Sequence, residues 1–91
     1  MIRELVEVRN RLGLHARAAA QLVQTASRFS SDIRLSREGC QPSTDSKSIL
    51  QILMMAAAQG TRLVVSIEGK DEREAGETLR RLFENKFGEE N

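Results

Sequence analysis

The chain has 91 residues, 14 of them basic and 13 acidic, so its formal net charge is only +1. This length suits one domain with a single modest core, and the balanced charge argues against binding to nucleic acid or to an anionic membrane. Three phenylalanines are the only aromatic residues, which excludes a platform for stacking bases. One cysteine and one histidine cannot form an internal disulfide or a structural zinc site, so we predict no metal, no cofactor and a reducing, cytoplasmic location.

The first third of the chain predicts a strand, a helix and a second strand. Ile2 to Arg9 alternates apolar and polar residues near its end, and its charged beginning shows no secretory signal. A helix is predicted from Ala16 to about Phe29 because apolar residues recur there with helical spacing. The residues of that face are Ala19, Leu22, Val23 and Ala26. After a turn, Asp32 to Arg37 predicts a strand with Ile33 and Leu35 facing inward.

The middle of the chain predicts an edge strand and a second helix. Glu38-Gly39 is a hairpin turn signal, and Cys40 to about Thr44 follows it as the third strand. Pro42 cannot donate a ladder hydrogen bond, which favours the sheet edge, and Cys40 is expected to pack there as a small apolar residue. Ser48 to Ala57 predicts the second helix, with Gly60 marking its end. Its longest apolar run is much too short to cross a membrane.

The last third predicts a strand from Arg62 to Glu68 and a final helix opened by Gly69-Lys70-Asp71. Leu63, Val65 and Ile67 should face inward on the strand, and the apolar face of the helix comprises Ala75, Leu79, Leu82 and Phe83. The order βαββαβα predicts an α+β open-faced sandwich, a four-stranded, mainly antiparallel sheet with three helices on one face. We expect a single domain over residues 1–88 and a frayed polar tail over residues 89–91.

His15 lies where the first strand gives way to the first helix, after a turn formed by Asn10 and Gly13. The free amides and the dipole of a helix amino terminus favour a bound anion and disfavour an imidazolium. A neutral imidazole is a nucleophile, and Arg17 in the first turn can pair with a phosphoryl group. The stretch therefore indicates phosphorylation of a histidine, although a surface or capping histidine with no further role would also fit these two residues.

The run Asn10-Arg11-Leu12-Gly13-Leu14-His15-Ala16-Arg17 resembles the active-site signature of HPr, the histidine phosphocarrier family of the bacterial phosphoenolpyruvate:sugar phosphotransferase system. The segments Lys47-Ser48-Ile49-Leu50 and Gln59-Gly60-Thr61 are also similar to that family, and the resemblance extends from Ile2 to about Phe83. It implies phosphorylation at Nδ1 of His15, with the charge balanced by the Ala16 and Arg17 amides and the Arg17 guanidinium. Two features depart from the family pattern: Ala18 replaces the usual proline, and the segment from Gly39 to Lys47 is slightly longer.

The second helix has more apolar residues than one buried face needs. Ile52, Met55 and Ala56 form one stripe and Ile49, Leu50 and Leu53 another, so one stripe should stay exposed unless neighbouring helices or a dimer bury both. The resemblance implies that Ile49, Leu50 and Leu53 dock partner proteins. Ser48 is the expected N-cap, with Asp45 and Ser46 as rivals. The resemblance further implies that a dedicated HPr kinase phosphorylates Ser48 in some branches of the family.

The resemblance implies the function of a cytoplasmic phosphocarrier, which would accept a phosphoryl group from enzyme I on His15 and pass it to an enzyme IIA domain. Such a chain is a carrier and not an autonomous catalyst, because phosphoryl transfer relies mainly on positioning and charge stabilisation. One alternative is an HPr-like regulatory module that binds partners with little or no phosphotransfer. A second alternative, a small phosphohydrolase, lacks an evident base near His15 to activate water.

Overall fold

The computed structural model describes residues 1–39 and 43–89, and within them the elements follow the predicted order. The strands are β1 (Ile2–Glu7), β2 (Asp32–Arg37), β3 (Thr44–Asp45) and β4 (Arg62–Glu68). The helices are α1 (Ala16–Ala26), α2 (Ile49–Met55) and α3 (Glu72–Glu84), and a short 3-10 turn, Lys86–Gly88, follows α3. The predicted α+β open-faced sandwich is confirmed.

The four strands form one sheet in the order β1-β4-β2-β3, with every neighbouring pair antiparallel. Apolar side chains alternate along the strands, so one face of the sheet carries the buried residues. These are Val6, Ile33, Leu35, Leu63, Val65 and Ile67, and they join the apolar faces of the helices in one core. Period-two patterning thus decides which face of the sheet the helices cover, and the other face stays open.

Helix α1 begins at the predicted residue but ends earlier than predicted. Ala19, Leu22 and Ala26 are fully buried, which confirms the predicted apolar face. The prediction that α1 extends to about Phe29 is wrong because the amides of Arg28 and Phe29 bond to carbonyls three residues back, at 3.2 Å each, in a tightened last turn. Phe29 nevertheless remains buried in the core.

Helix α2 is shorter than predicted at its carboxyl end. The predicted end at Ala57 is wrong because Ala56 adopts a left-handed conformation, with φ 51° and ψ 41°. This bend turns the chain so that the carbonyl of Ala57 accepts a hydrogen bond from the amide of Leu14, at 2.9 Å. Gly60 lies in the next turn and does not end the helix, and Ala56 is exposed instead of joining the predicted inner stripe.

The first and third strands also differ from prediction. Strand β1 ends at Glu7 instead of Arg9, although Val8 continues the pairing through hydrogen bonds with Gly60 (2.7 Å) and Thr61 (2.9 Å). Strand β3 comprises only Thr44–Asp45 and lies at the predicted sheet edge, paired with β2. Residues 40–42, including Cys40 and Pro42, lie outside the described residues, so the predicted packing of Cys40 stays a prediction.

The chain after α3 folds back in an ordered turn. Phe87 is 2% exposed and packs edge-to-face on Phe83, with ring centroids 5.0 Å apart. The side chain of Glu89, which was expected to begin a frayed tail, contacts His15. The structure therefore differs from that expectation at Glu89, and residues 90–91 lie outside the described residues. Among the described helices, none combines the length and apolar character needed to span a membrane.

Candidate functional site

The loop between β1 and α1, residues 8–15, is held against the connection that follows α2. Gly13 has φ 68°, and a β-carbon at this position would lie 2.5 Å from the carbonyl oxygen of Ala57. Glycine is therefore required where the loop passes this backbone. The amide of the next residue, Leu14, donates to the same carbonyl. The loop thus enters α1 from a fixed position, and that position sets the location of His15.

His15 is the N-cap of α1. Its backbone is extended, with φ −74° and ψ −179°, and its carbonyl accepts the first helical hydrogen bond from the Ala19 amide at 2.8 Å. The ring nitrogen Nδ1 accepts a hydrogen bond from the backbone amide of Arg17, 3.3 Å away. The ring therefore caps the helix with Nδ1, and Nδ1 faces the positive end of the helix dipole.

The other ring nitrogen, Nε2, contacts the carboxylate of Glu89. A carboxylate only accepts hydrogen bonds, so this contact assigns the ring proton to Nε2 and the lone pair to Nδ1. Asn10 donates to the same carboxylate oxygen at 3.0 Å and to the carbonyl of Gly13 at 2.6 Å. The hydrogen bond from His15, and then that from Asn10, hold the pKa of Glu89 below its ordinary value despite partial burial.

Two arginines line an open depression beside the contact between His15 and Glu89. The depression has a volume of about 360 Å³ and is bounded by Arg11, Leu12, Arg17, Gly88 and Glu89. Arg11, Ala16 and Arg17 are exposed, so the guanidinium groups are accessible to a ligand. Ala18 is fully buried in the first turn of α1 and packs in the core. The site therefore combines a nucleophilic nitrogen with neighbouring positive charge at a helix amino terminus.

Helix α2 presents the other predicted functional residues. Ser48 is its N-cap, and the Ser48 hydroxyl accepts a hydrogen bond from the Gln51 amide at 3.4 Å. Ser46, a rival candidate, is fully buried and donates to the carbonyl of Ile33 at 2.8 Å. The predicted exposed stripe is confirmed as exposed: the exposed fractions are 43% for Ile49, 65% for Leu50 and 38% for Leu53.

Four residues of these surfaces were given no functional role of their own by the sequence pattern. Asn10 was predicted as a turn residue and Glu89 as part of the tail, yet Glu89 contacts the His15 ring and Asn10 donates a hydrogen bond to the same carboxylate. Leu12 and Met54 are exposed apolar residues, at 67% and 74%, outside the predicted stripe. Within the described residues, no cluster of three or more His, Cys, Asp or Glu side chains could hold a metal ion.

Comparisons with known proteins agree on one family. The family model described as "PTS HPr component phosphorylation site" matches residues 2–85. The phosphocarrier protein HPr of Xylella fastidiosa is 47% identical over 90 residues, 99% of each chain. The HPr-like protein Crh of Bacillus subtilis is 42% identical over 79 residues, 87% of this chain and 91% of Crh. A crystal structure of HPr from Thermoanaerobacter tengcongensis superposes with a TM-score of 0.93 at 44% identity, covering both chains completely.

Proposed function

The chain belongs to the HPr family of phosphocarrier proteins, and on this basis we propose that it accepts a phosphoryl group from enzyme I on His15 and passes it to an enzyme IIA domain. The observation that carries the proposal is the arrangement of the His15 ring. Its Nδ1 accepts a hydrogen bond from the Arg17 amide at the amino terminus of α1, while Nε2 contacts the carboxylate of Glu89. The nitrogen that bears the lone pair is therefore the one placed in the positive field of the helix.

The transfer step needs no further reagent. The Nδ1 lone pair forms the N–P bond as the bond between phosphorus and its donor atom breaks, and that electron pair stays on the donor. Once Nδ1 is bonded to phosphorus it can no longer accept from the Arg17 amide, so this amide becomes free to donate to a phosphoryl oxygen. The Ala16 amide and the Arg17 guanidinium would add further charge-assisted hydrogen bonds. The reverse step regenerates the neutral ring, so the protein acts as a carrier.

We also propose that the exposed stripe of α2, Ile49, Leu50 and Leu53, docks both partner proteins in the cytoplasm. Exposed apolar residues that cluster on one helix are typical of protein-binding surfaces. Ser48 adjoins this stripe, so a phosphate added there by an HPr kinase would place a dianion beside the docking surface. Regulation at Ser48 would therefore act on partner binding and leave the chemistry of His15 unchanged.

Incubation with phosphoenolpyruvate and enzyme I, followed by intact-mass analysis, tests this function. The parent protein should gain one acid-labile phosphoryl group, and His15→Ala should gain none while keeping its fold. No gain of mass by the parent would favour the regulatory alternative, and continuous release of inorganic phosphate would favour a hydrolase. Labelling of His15→Ala at another residue would contradict the assignment of His15.

A further inference from the structure

The chain that follows α3 reaches His15 through an unusual backbone conformation. Lys86, Phe87 and Gly88 all have positive φ, at 56°, 53° and 78°. Residues other than glycine rarely adopt such angles, and they keep them only where surrounding contacts fix the backbone. Here the buried Phe87 ring fixes it, packed on Phe83 in the core. The core thus holds a costly turn whose next residue is Glu89.

The Glu89 carboxylate is also held from its other side. Asn10, which is fully buried, donates to it at 3.0 Å and is itself held by the Gly13 carbonyl. The side chain of Glu89 is only 12% exposed and that of His15 only 27%. Fully exposed ion pairs between long side chains contribute little stability, because solvent screens the charges and ordering the side chains costs entropy. This contact is different, because Asn10 and the Phe87 turn both restrict the carboxylate before it meets the ring.

We infer that Glu89 is a positioning residue for the phosphoryl transfer proposed above. Its carboxylate accepts a hydrogen bond from Nε2–H and so keeps the lone pair on Nδ1, facing the amino terminus of α1. As the N–P bond forms, the ring gains positive charge, and its proton stays on Nε2 in the hydrogen bond to Glu89. When the phosphoryl group leaves, Nδ1 recovers its electron pair and the ring is neutral again. The inference rests on the proposed function for its consequence, but the state of the ring can be measured without any transfer.

Nitrogen-15 NMR of the unphosphorylated ring, at a pH where it is neutral, tests the positioning directly. In the parent, Nδ1 should resonate as the nitrogen with the lone pair, and Nε2 should carry a deshielded, slowly exchanging proton. In Glu89→Ala this proton should exchange rapidly, and both nitrogens should move towards a mixture of tautomers. Glu89→Gln should restore much of the parent pattern, because its amide oxygen can accept the same hydrogen bond from Nε2–H. Glu84→Gln is the matched control, since it removes an exposed carboxylate from the end of α3 and should change nothing.

The same four proteins should then be compared as phosphoryl acceptors from enzyme I. Glu89→Ala should accept about tenfold more slowly, the factor that corresponds to one hydrogen bond to a charged group, and Glu89→Gln should fall between Glu89→Ala and the parent. Parent-like ring spectra in Glu89→Ala would overturn the inference, and so would changed spectra with an unchanged transfer rate. If the parent itself accepts no phosphoryl group, the proposed function fails, and the ring spectra alone still decide whether Glu89 orients His15.

Discussion

The two ring nitrogens of His15 have different partners, and these partners are far apart in the chain. Arg17 adjoins Nδ1 through its backbone amide, whereas Glu89 contacts Nε2. Arg17 is exposed, and its side chain lines the adjoining depression. Arg17 therefore contributes a backbone amide that any residue except proline could supply and a side chain that only arginine supplies.

Replacing Arg17 separates these two contributions. We expect Arg17→Ala to fold normally and to accept phosphoryl groups about tenfold more slowly, because one charge-assisted hydrogen bond is lost. Arg28→Ala is the matched control, since it removes an exposed arginine just beyond the other end of α1. Rates should be measured from the gain of mass under single-turnover conditions. Equal rates for Arg17→Ala and Arg28→Ala would show that the backbone amides suffice.

Ala56 has an unfavourable backbone conformation that glycine would relieve. Its φ of 51° lies in the left-handed region, which costs an L-residue about 1 kcal/mol relative to glycine. Ala56→Gly should therefore raise the melting temperature, by about 4–8 °C for a domain of this size. The same change within a helix, Ala20→Gly in α1, should lower it, because glycine costs about 1 kcal/mol there. A lower melting temperature for Ala56→Gly would mean that α2 does not end in this conformation.

Residues that obey local rules could be predicted from the sequence, and residues held by distant contacts could not. His15 and Ser48 occupy their predicted helix starts because capping depends on a few neighbouring residues. Glu89 is 74 residues from His15, and its approach depends on positive φ at Lys86 and Phe87, which no local preference favours. The polar sequence predicted that Glu89 lies in a solvated tail, whereas the burial of the neighbouring Phe87 determines the position of Glu89.

At the level of elements, Ser48 connects the stability of α2 with the surface that this helix exposes. Ser48→Ala should lose the cap and about 1 kcal/mol of stability, with transfer close to normal. Ser48→Asp should keep its melting temperature, because a carboxylate also caps the helix and suits its dipole. It should accept phosphoryl groups more slowly, since docking would have to desolvate a charge beside Ile49 and Leu50. Thermal melts and transfer rates of both variants test this, and parent-like transfer by Ser48→Asp would leave Ser48 with a capping role only.

Asp71 joins the start of α3 to the turn between α1 and β2. Its carboxylate accepts hydrogen bonds from the Ser31 hydroxyl and from the amides of Ser30 (2.9 Å) and Ser31 (3.0 Å). The Ser31 hydroxyl first, and then the Ser30 amide, lower the pKa of Asp71 from its ordinary value of 3.8. Because the pKa is lower in the folded state, the stabilisation is present above pH 3.8 and is lost as the pH falls through the folded-state pKa.

Acidification should therefore reveal the contribution of Asp71. At neutral pH, Asp71→Asn should melt below the parent, and the two melting temperatures should converge as the pH falls below 3.8. Asp32→Asn is the control, because it removes an equal charge from an exposed position at the start of β2 and should follow the parent throughout. A constant difference between Asp71→Asn and the parent at every pH would show that shape, and not ionisation, determines the effect.

Sequence periodicity predicted the order of the elements because each buries one regular face. It was less successful at their ends: α1 and α2 stop short, and β3 has only two residues. These ends depend on tertiary contacts, such as the Leu14 amide bonding to the Ala57 carbonyl, that a local pattern does not contain. The same contact fixes the loop that carries His15, so the geometry of the site depends on the part of the fold that was hardest to predict.

At the scale of the whole molecule, exposed leucines lie on both layers of the described structure. Leu50 belongs to the exposed stripe on α2, within the helical layer that also holds His15, whereas Leu5 lies on β1 with its side chain towards the open face of the sheet, at 48% exposure. If enzyme I and enzyme IIA both dock on the α2 stripe, the carrier cannot bind them together. It must then release one partner before it engages the other, and a weakened stripe should affect both half-reactions.

Leu50→Gln and Leu5→Gln form a matched pair that tests this asymmetry. Both substitutions replace an exposed leucine with a neutral side chain of similar size, so we expect small effects on the melting temperature. Leu50→Gln should raise the KM for the carrier by about tenfold with enzyme I and with enzyme IIA, as loss of an interface anchor does, while kcat changes little. Leu5→Gln should leave the KM unchanged with enzyme I and with enzyme IIA. If Leu5→Gln impaired transfer and Leu50→Gln did not, the partners would dock on the open face of the sheet, and a phosphate on Ser48 would have no docking surface on α2 to block.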